Sequence, residues 1–181
     1  MKTSILGRLA RLARDKRGVS AVEFALLAPV MIGLYFGSVE ISDGVSADRK
    51  VSLIAAALAN LTAQVTTIST TDMTNILDAS SAIVSPYKAA NLKMTVTCIG
   101  IDANKVAKVK WSVTRGGSVN SGTMTIPSAL AVANSWLILA QASYAYTPVV
   151  GYTITGTLTL SDQMYMSPRI SPPTYGVTTC S

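Results

Sequence analysis

The run from Val19 to Val39, VSAVEFALLAPVMIGLYFGSV, carries a single charge, Glu23. Wound as a helix at ~1.5 Å per residue it reaches about 30 Å, the thickness of a bilayer's hydrocarbon core, and so reads as a transmembrane helix. Upstream of it Lys2, Arg8, Arg11, Arg14, Lys16 and Arg17, set against Asp15, concentrate five of the six net positive charges. Lys and Arg accumulate on the cytoplasmic flank of a membrane span, which predicts a cytoplasmic N-terminus and export of everything after Glu40. Within this leader Ile5, Leu6, Leu9, Leu12 and Ala13 would share one helical face, opposite the arginines. Two readings stay open: an amphipathic helix on an anionic membrane surface, and a positive flank without structure that only sets orientation.

Once the charges are located, the basic balance loses its meaning as a nucleic-acid signal. The chain after Arg17 is nearly neutral, with no basic face and no aromatic platforms to accompany one, so a phosphate footprint is not expected. Apolar residues make up 49% and charged residues 13%, with a mean hydropathy of +0.41, too apolar for disorder and poorer in charge than a typical soluble domain. Histidine is absent. That removes His-based acid/base chemistry, His triads and most catalytic zinc sites. Cys98 and Cys180 cannot by themselves close a four-ligand metal site. In an exported chain two cysteines read first as one disulfide, the alternative being two buried thiols. None of the nucleotide-loop, nucleophile-elbow or metal-cluster signatures occurs, so neither enzyme activity nor a cofactor is expected.

Beyond the apolar run, Val45, Val51, Leu53, Ile54, Leu58 and Leu61 predict continuation of the helix as an amphipathic stalk to about Val65. Thr71-Asp72 then gives an N-cap signal for a second helix over Met73, Ile76, Leu77 and Ile83, ending before Pro86. From Asn91 the period changes. Leu92–Ile101 and Val106–Thr114 alternate and are rich in β-branched residues, Gly116-Gly117 supplies a turn, and Ser135–Tyr146 and Thr153–Met166 predict two more strands around Pro148 and Gly151. The tail from Pro168 is expected to be irregular. Lys105, Lys108 and Lys110 read as a solvated or edge-protecting strand face, and Trp111 and Trp136 as packing residues rather than ligand platforms. The fold class is therefore α+β: a long N-terminal transmembrane and stalk helix, then a small exported domain with a mainly antiparallel sheet. The organisation expected is a leader over 1–18, a membrane helix over 19–41, and an exported stalk and domain over 42–181.

The most informative segment is Arg17-Gly18-Val19-Ser20-Ala21-Val22-Glu23-Phe24. A general secretory signal is cut after its hydrophobic segment, whereas a glycine placed before that segment lets a peptidase at the cytoplasmic face remove the leader and leave the helix behind. A carboxylate about a turn inside the hydrocarbon boundary is unfavourable by up to a few kcal/mol without a partner. Cleavage before Val19 would create one, because a free α-amine with a reference pKa near 8 is largely protonated at neutral pH. The alternative for Glu23 is an interfacial residue favoured by the positive end of the helix dipole.

Here the chain resembles the class III prepilins, and more narrowly the TadE-like pseudopilins of the tight-adherence (Tad, or Flp) pilus system. The resemblance rests on Gly18, Val19, Glu23, Phe24 and Pro29. It extends less specifically to Gly37, Glu40, the run Ser143-Tyr144-Ala145-Tyr146-Thr147-Pro148, and Pro168-Arg169. It implies prepilin peptidase cleavage between Gly18 and Val19 and an assembly role for Glu23 and Phe24. The partners implied are the peptidase itself, other Tad pilins, an inner-membrane assembly platform and inner-membrane lipid. The location implied is a single pass through a bacterial inner membrane with the C-terminal domain periplasmic, and the position in filament, tip or assembly base stays open. The competing reading is a soluble exported protein released after Val45-Ser46-Ala47, although a 47-residue signal would exceed the usual range of roughly 15–30 residues. An Arg-rich organelle presequence fits the leader alone and leaves the helix and Glu23 unexplained.

Overall fold

A computed structural model of the chain describes residues 17–149 and 156–180. The leader up to Lys16 and the first residues of the strand expected from Thr153 lie outside the described residues. The chain divides between Ser42 and Asp43 into two compact units.

One helix, α1 (Arg17–Ala63), begins in the first unit and supplies the central element of the second. Its residues 18–41 are exposed around the whole circumference apart from partly covered Ala28 and Glu40, and Pro29 sits inside this stretch. From Ala47 the pattern changes. Ala47, Val51, Ile54, Ala55, Leu58 and Ala59 recur at spacings of three, four and one, which places them on one stripe, and all are buried. A fully buried Ile or Leu contributes roughly 2 kcal/mol relative to exposure, so this stripe fixes the helix to the domain.

Next come β1 (Thr67–Ile68) and α2 (Thr70–Ser81). The cap of α2 is Ser69, not the expected Thr71-Asp72: the Ser69 hydroxyl accepts from the Asp72 N–H, and the Asp72 carboxylate accepts from the Ser69 N–H. This reciprocal box satisfies two helix-end donors at once, which a cap at Thr71 could not do. Bonds from the Ser69 side chain and backbone hold the Asp72 carboxyl below its ordinary pKa. The helix stops at Ser81 and a 3-10 turn over Ala82–Val84 carries the chain on, so Ile83 falls outside it.

The strands are β2 (Leu92–Ile101), β3 (Ala107–Arg115), β4 (Thr123–Met124), β5 (Ser135–Tyr146), β6 (Leu158–Met166) and β7 (Thr174–Tyr175). Five of them form an antiparallel sheet in the order β4-β3-β2-β5-β6. The tail is not wholly irregular, since β7 pairs in parallel with β1. One sheet face supplies Met94, Val96, Cys98, Ile138 and Ala140 to the same buried cluster as the α1 stripe, Met73 and Leu77. The other face is divided. Ile99, Ile101, Leu137 and Leu139 form a second apolar cluster with Met124, Ile126 and Leu130, while hydroxyls and carboxamides occupy the remainder.

Cys98 and Cys180 are joined in a disulfide with Cα atoms 5.9 Å apart, which fastens the tail to the central strand. Trp111 is buried, donates its indole N–H to the Pro173 carbonyl at 3.1 Å, and stacks at a tilt on Tyr175 at 5.7 Å. Trp136 is partly buried against the main core. The lysines of the β3 region face solvent; Lys108 lies 3.4 Å from Asp102, whose carboxyl is held below its ordinary pKa chiefly by the Val106 N–H.

Among the described residues two buried hydroxyls have no hydrogen-bond partner, those of Thr62 and Ser80. Thr62 is fully buried in the last turn of α1 and its hydroxyl has no hydrogen-bond partner among the described residues. An unpaired buried hydroxyl forfeits its hydration for nothing, at about 1 kcal/mol or more. Thr62→Val keeps the shape and removes the penalty, so thermal melting of the variant is expected about 3 °C above the native chain. An unchanged or lower melting temperature contradicts this account.

Candidate functional site

The first unit holds the residues singled out in the sequence. Gly18, Val19, Glu23 and Phe24 all lie within α1 and all are exposed. Glu23 follows Val19 by four positions, so the two stand on one side of the helix a single turn apart. Phe24, Leu26 and Leu34 are each 70% exposed, and Val19, Val22, Leu27, Met31, Ile32, Tyr35 and Ile41 are exposed with them. In water a helix apolar on all sides is not a stable surface element; it belongs in lipid or inside a bundle of like helices. Its most apolar window has a mean hydropathy of 1.9 and none of it is buried.

Gly18 has no structural reason to be glycine. A Cβ added there meets nothing within 4 Å, and the residue is helical. Glycine inside a helix costs about 1 kcal/mol relative to alanine. Gly33 and Gly37 are equally open.

The residues that extended the resemblance beyond the helix have an evident task in the second unit. Tyr144 and Tyr146 from the end of β5 cluster with Tyr87, at ring separations of 6.0 and 6.4 Å. The Tyr87 hydroxyl donates to the Asp43 carbonyl on α1 at 3.0 Å, and an added Cβ at Gly44 would stand 3.7 Å from the Tyr146 ring. Lys50 of α1 donates to the carbonyls of Ser85 and Ile83, at 2.6 and 3.2 Å. At the other end the Arg169 backbone N–H donates to the Ala63 carbonyl at 2.9 Å, and its guanidinium donates to Asn60 at 2.7 Å. A cation and a donor at the last turn of α1 offset its unpaired carbonyls and its negative end. These residues therefore clamp the helix into the domain.

The structure brings Cys98 and Cys180 together and keeps them apart from Gly18, Val19, Glu23 and Phe24 in sequence and in unit. Two features were missed in the sequence: the Arg169 cap, visible there only as a Pro-Arg pair, and a polar cleft on the sheet, whose residues come from four separate segments.

Residues 18–59 match the family described as TadE-like protein, a match that covers the exposed apolar stretch and most of the buried stripe of α1. No curated protein and no solved structure matches the chain. The apolar helix within the matched segment is compatible with a single-pass membrane anchor.

Proposed function

With a TadE-like domain over residues 18–59 as premise, we propose that the chain is a minor pilin-like structural subunit of a Tad (Flp) adhesion pilus, matured by a prepilin peptidase and not an enzyme. The observation that carries this reading is a helix whose first half is apolar and exposed all round, opened by a glycine and a glutamate that its packing does not require. The peptidase removes the leader between Gly18 and Val19 at the cytoplasmic face. The new α-amine of Val19 pairs with Glu23 of its own or a neighbouring helix, and Phe24 and the apolar side chains around it pack against other pilins or an inner-membrane platform. The clamped second unit then lies on the periplasmic side.

Release of a soluble protein after Ala47 is the less well supported alternative. Ala47 lies inside α1 and is buried against the domain, so cutting there requires unwinding the element that holds the core. Mass spectrometry of protein purified from the membrane fraction is expected to find Val19 as the N-terminal residue. Soluble protein beginning at Asp48 would establish the alternative.

A further inference from the structure

On the sheet face turned away from α1, β2, β5 and β6 set two rows of polar side chains next to each other. Register places Lys93 opposite Ser143 and Ser143 opposite Ser161, and in the neighbouring row Thr95 opposite Gln141 and Gln141 opposite Gln163. Together with Gly117 and Ser118 these residues line an open cleft of about 560 Å³, within the 300–1,000 Å³ typical of small-ligand sites.

The cleft is built, not incidental. Its wall is the loop after β3, seated so close to the sheet that a Cβ on Gly117 would stand 2.9 Å from the Thr114 hydroxyl and 3.2 Å from that of Thr95. Thr95 donates to the Ser118 carbonyl, the Asn120 N–H donates to Ser112 at 3.0 Å, and the Asn120 amide donates to Thr97 at 2.9 Å and to Gln141 at 2.8 Å. The second row is thus held in place by a hydrogen-bond network that ends at Gln163. The first row is held only by its backbone: the side chains of Lys93, Ser143 and Ser161 make no hydrogen bond to another described residue.

Chemistry narrows the occupant. The lining has hydroxyls, carboxamides, one lysine and one aspartate, no net charge, and nothing apolar larger than Ala142. Such a surface has no platform for a lipid tail or a stacked base and too little positive charge for a polyphosphate. Hydroxyls and carboxamides each donate and accept, the capacity that a ligand bearing several hydroxyl groups matches. We infer that this cleft binds a neutral saccharide, held by Lys93, Ser143 and Ser161 on one side and by Gln141 and Gln163 on the other. Without an aromatic floor the site is hydrogen-bond dominated, with an expected Kd on the order of millimolar for a short oligosaccharide. The inference stands whether or not the helix enters a filament.

The test uses the full chain in detergent micelles and saturation-transfer NMR with three probes: maltotriose, cellotriose and N-acetylchitotriose. At least one is expected to receive saturation from the protein. The triple variant K93A/S143A/S161A is expected to weaken that binding at least about tenfold, the effect of losing one or more net hydrogen bonds. Because Ser143 is partly buried, Ser161→Ile, at an exposed position, provides an independent block without adding a stacking platform and is expected to abolish the signal with little change in melting temperature. Absence of signal from all three probes overturns the inference. So does binding that survives Ser161→Ile, or inorganic phosphate binding in the cleft in place of any sugar.

Discussion

Replacing Cys98 and Cys180 together by alanine is expected to lower the stability of the second unit by about 4 kcal/mol and its melting temperature by about 12 °C. The bridge closes a loop with a sequence separation of 82, and in the chain-entropy model the loss grows with the logarithm of that length. Both sulfurs lie in the core, so their removal also leaves a small cavity. Calorimetry of oxidised native protein against the double variant measures the difference. Quantitative thiol labelling of unfolded, unreduced native protein should find no reactive cysteine. Two reactive thiols in that assay would remove the bridge from the account and leave two buried apolar cysteines in its place.

Glu23→Ala is expected to separate maturation from assembly. The substitution makes an apolar helix more apolar and leaves Gly18 untouched, so insertion and loss of the leader should proceed as in the native chain. If its partner is the amine that cleavage releases, co-purification with pilus subunits should then fall at least about tenfold, the value of a pairing worth ~1.4 kcal/mol in the membrane. Gly18→Leu should act earlier. Because a side chain at residue 18 meets nothing, the fold is unaffected, and the variant should accumulate in the membrane with its leader attached. Native levels of pili and of partner complexes in Glu23→Ala cells would reduce the glutamate to an interfacial residue favoured by the helix dipole.

Where sequence patterns are local and long, reading them anticipated the fold closely. β2 and β5 have the expected limits: turn-forming residues bound both, and β2 is rich in β-branched residues, Thr95, Val96, Thr97, Ile99 and Ile101. The change in α1 from apolar all round to striped was also visible, since it is a change of period within one helix. What failed was short or long-range. Ser69-Thr70-Thr71-Asp72 offers three hydroxyls as caps, and only the Ser-x-x-Asp spacing singles out Ser69. β1, β4 and β7 have two residues each, too few to show a period, and the parallel pairing of β1 with β7 joins segments far apart in the chain. The candidate site divides the same way. Gly18 to Phe24 is a contiguous motif and could be read, whereas the polar cleft exists only once β2, β5, β6 and the loop after β3 have been brought into register.

The tail closes the domain, and that sets an order of events on a growing chain. Val51, Ile54 and Leu58 leave the ribosome early, yet the segment that completes their surroundings, with buried Pro173 and Cys180, and Arg169 at the end of α1, follows only after all five strands of the sheet. The five-stranded sheet needs the long-range pairing of β2 with β5, and neither the cap on α1 nor the β1–β7 pairing can form until the segment from Arg169 to Tyr175 has followed it. Before that segment arrives, the apolar stripe of α1 has only α2 and the sheet to cover it, and the Cys98–Cys180 bond is the latest of these closures to become available.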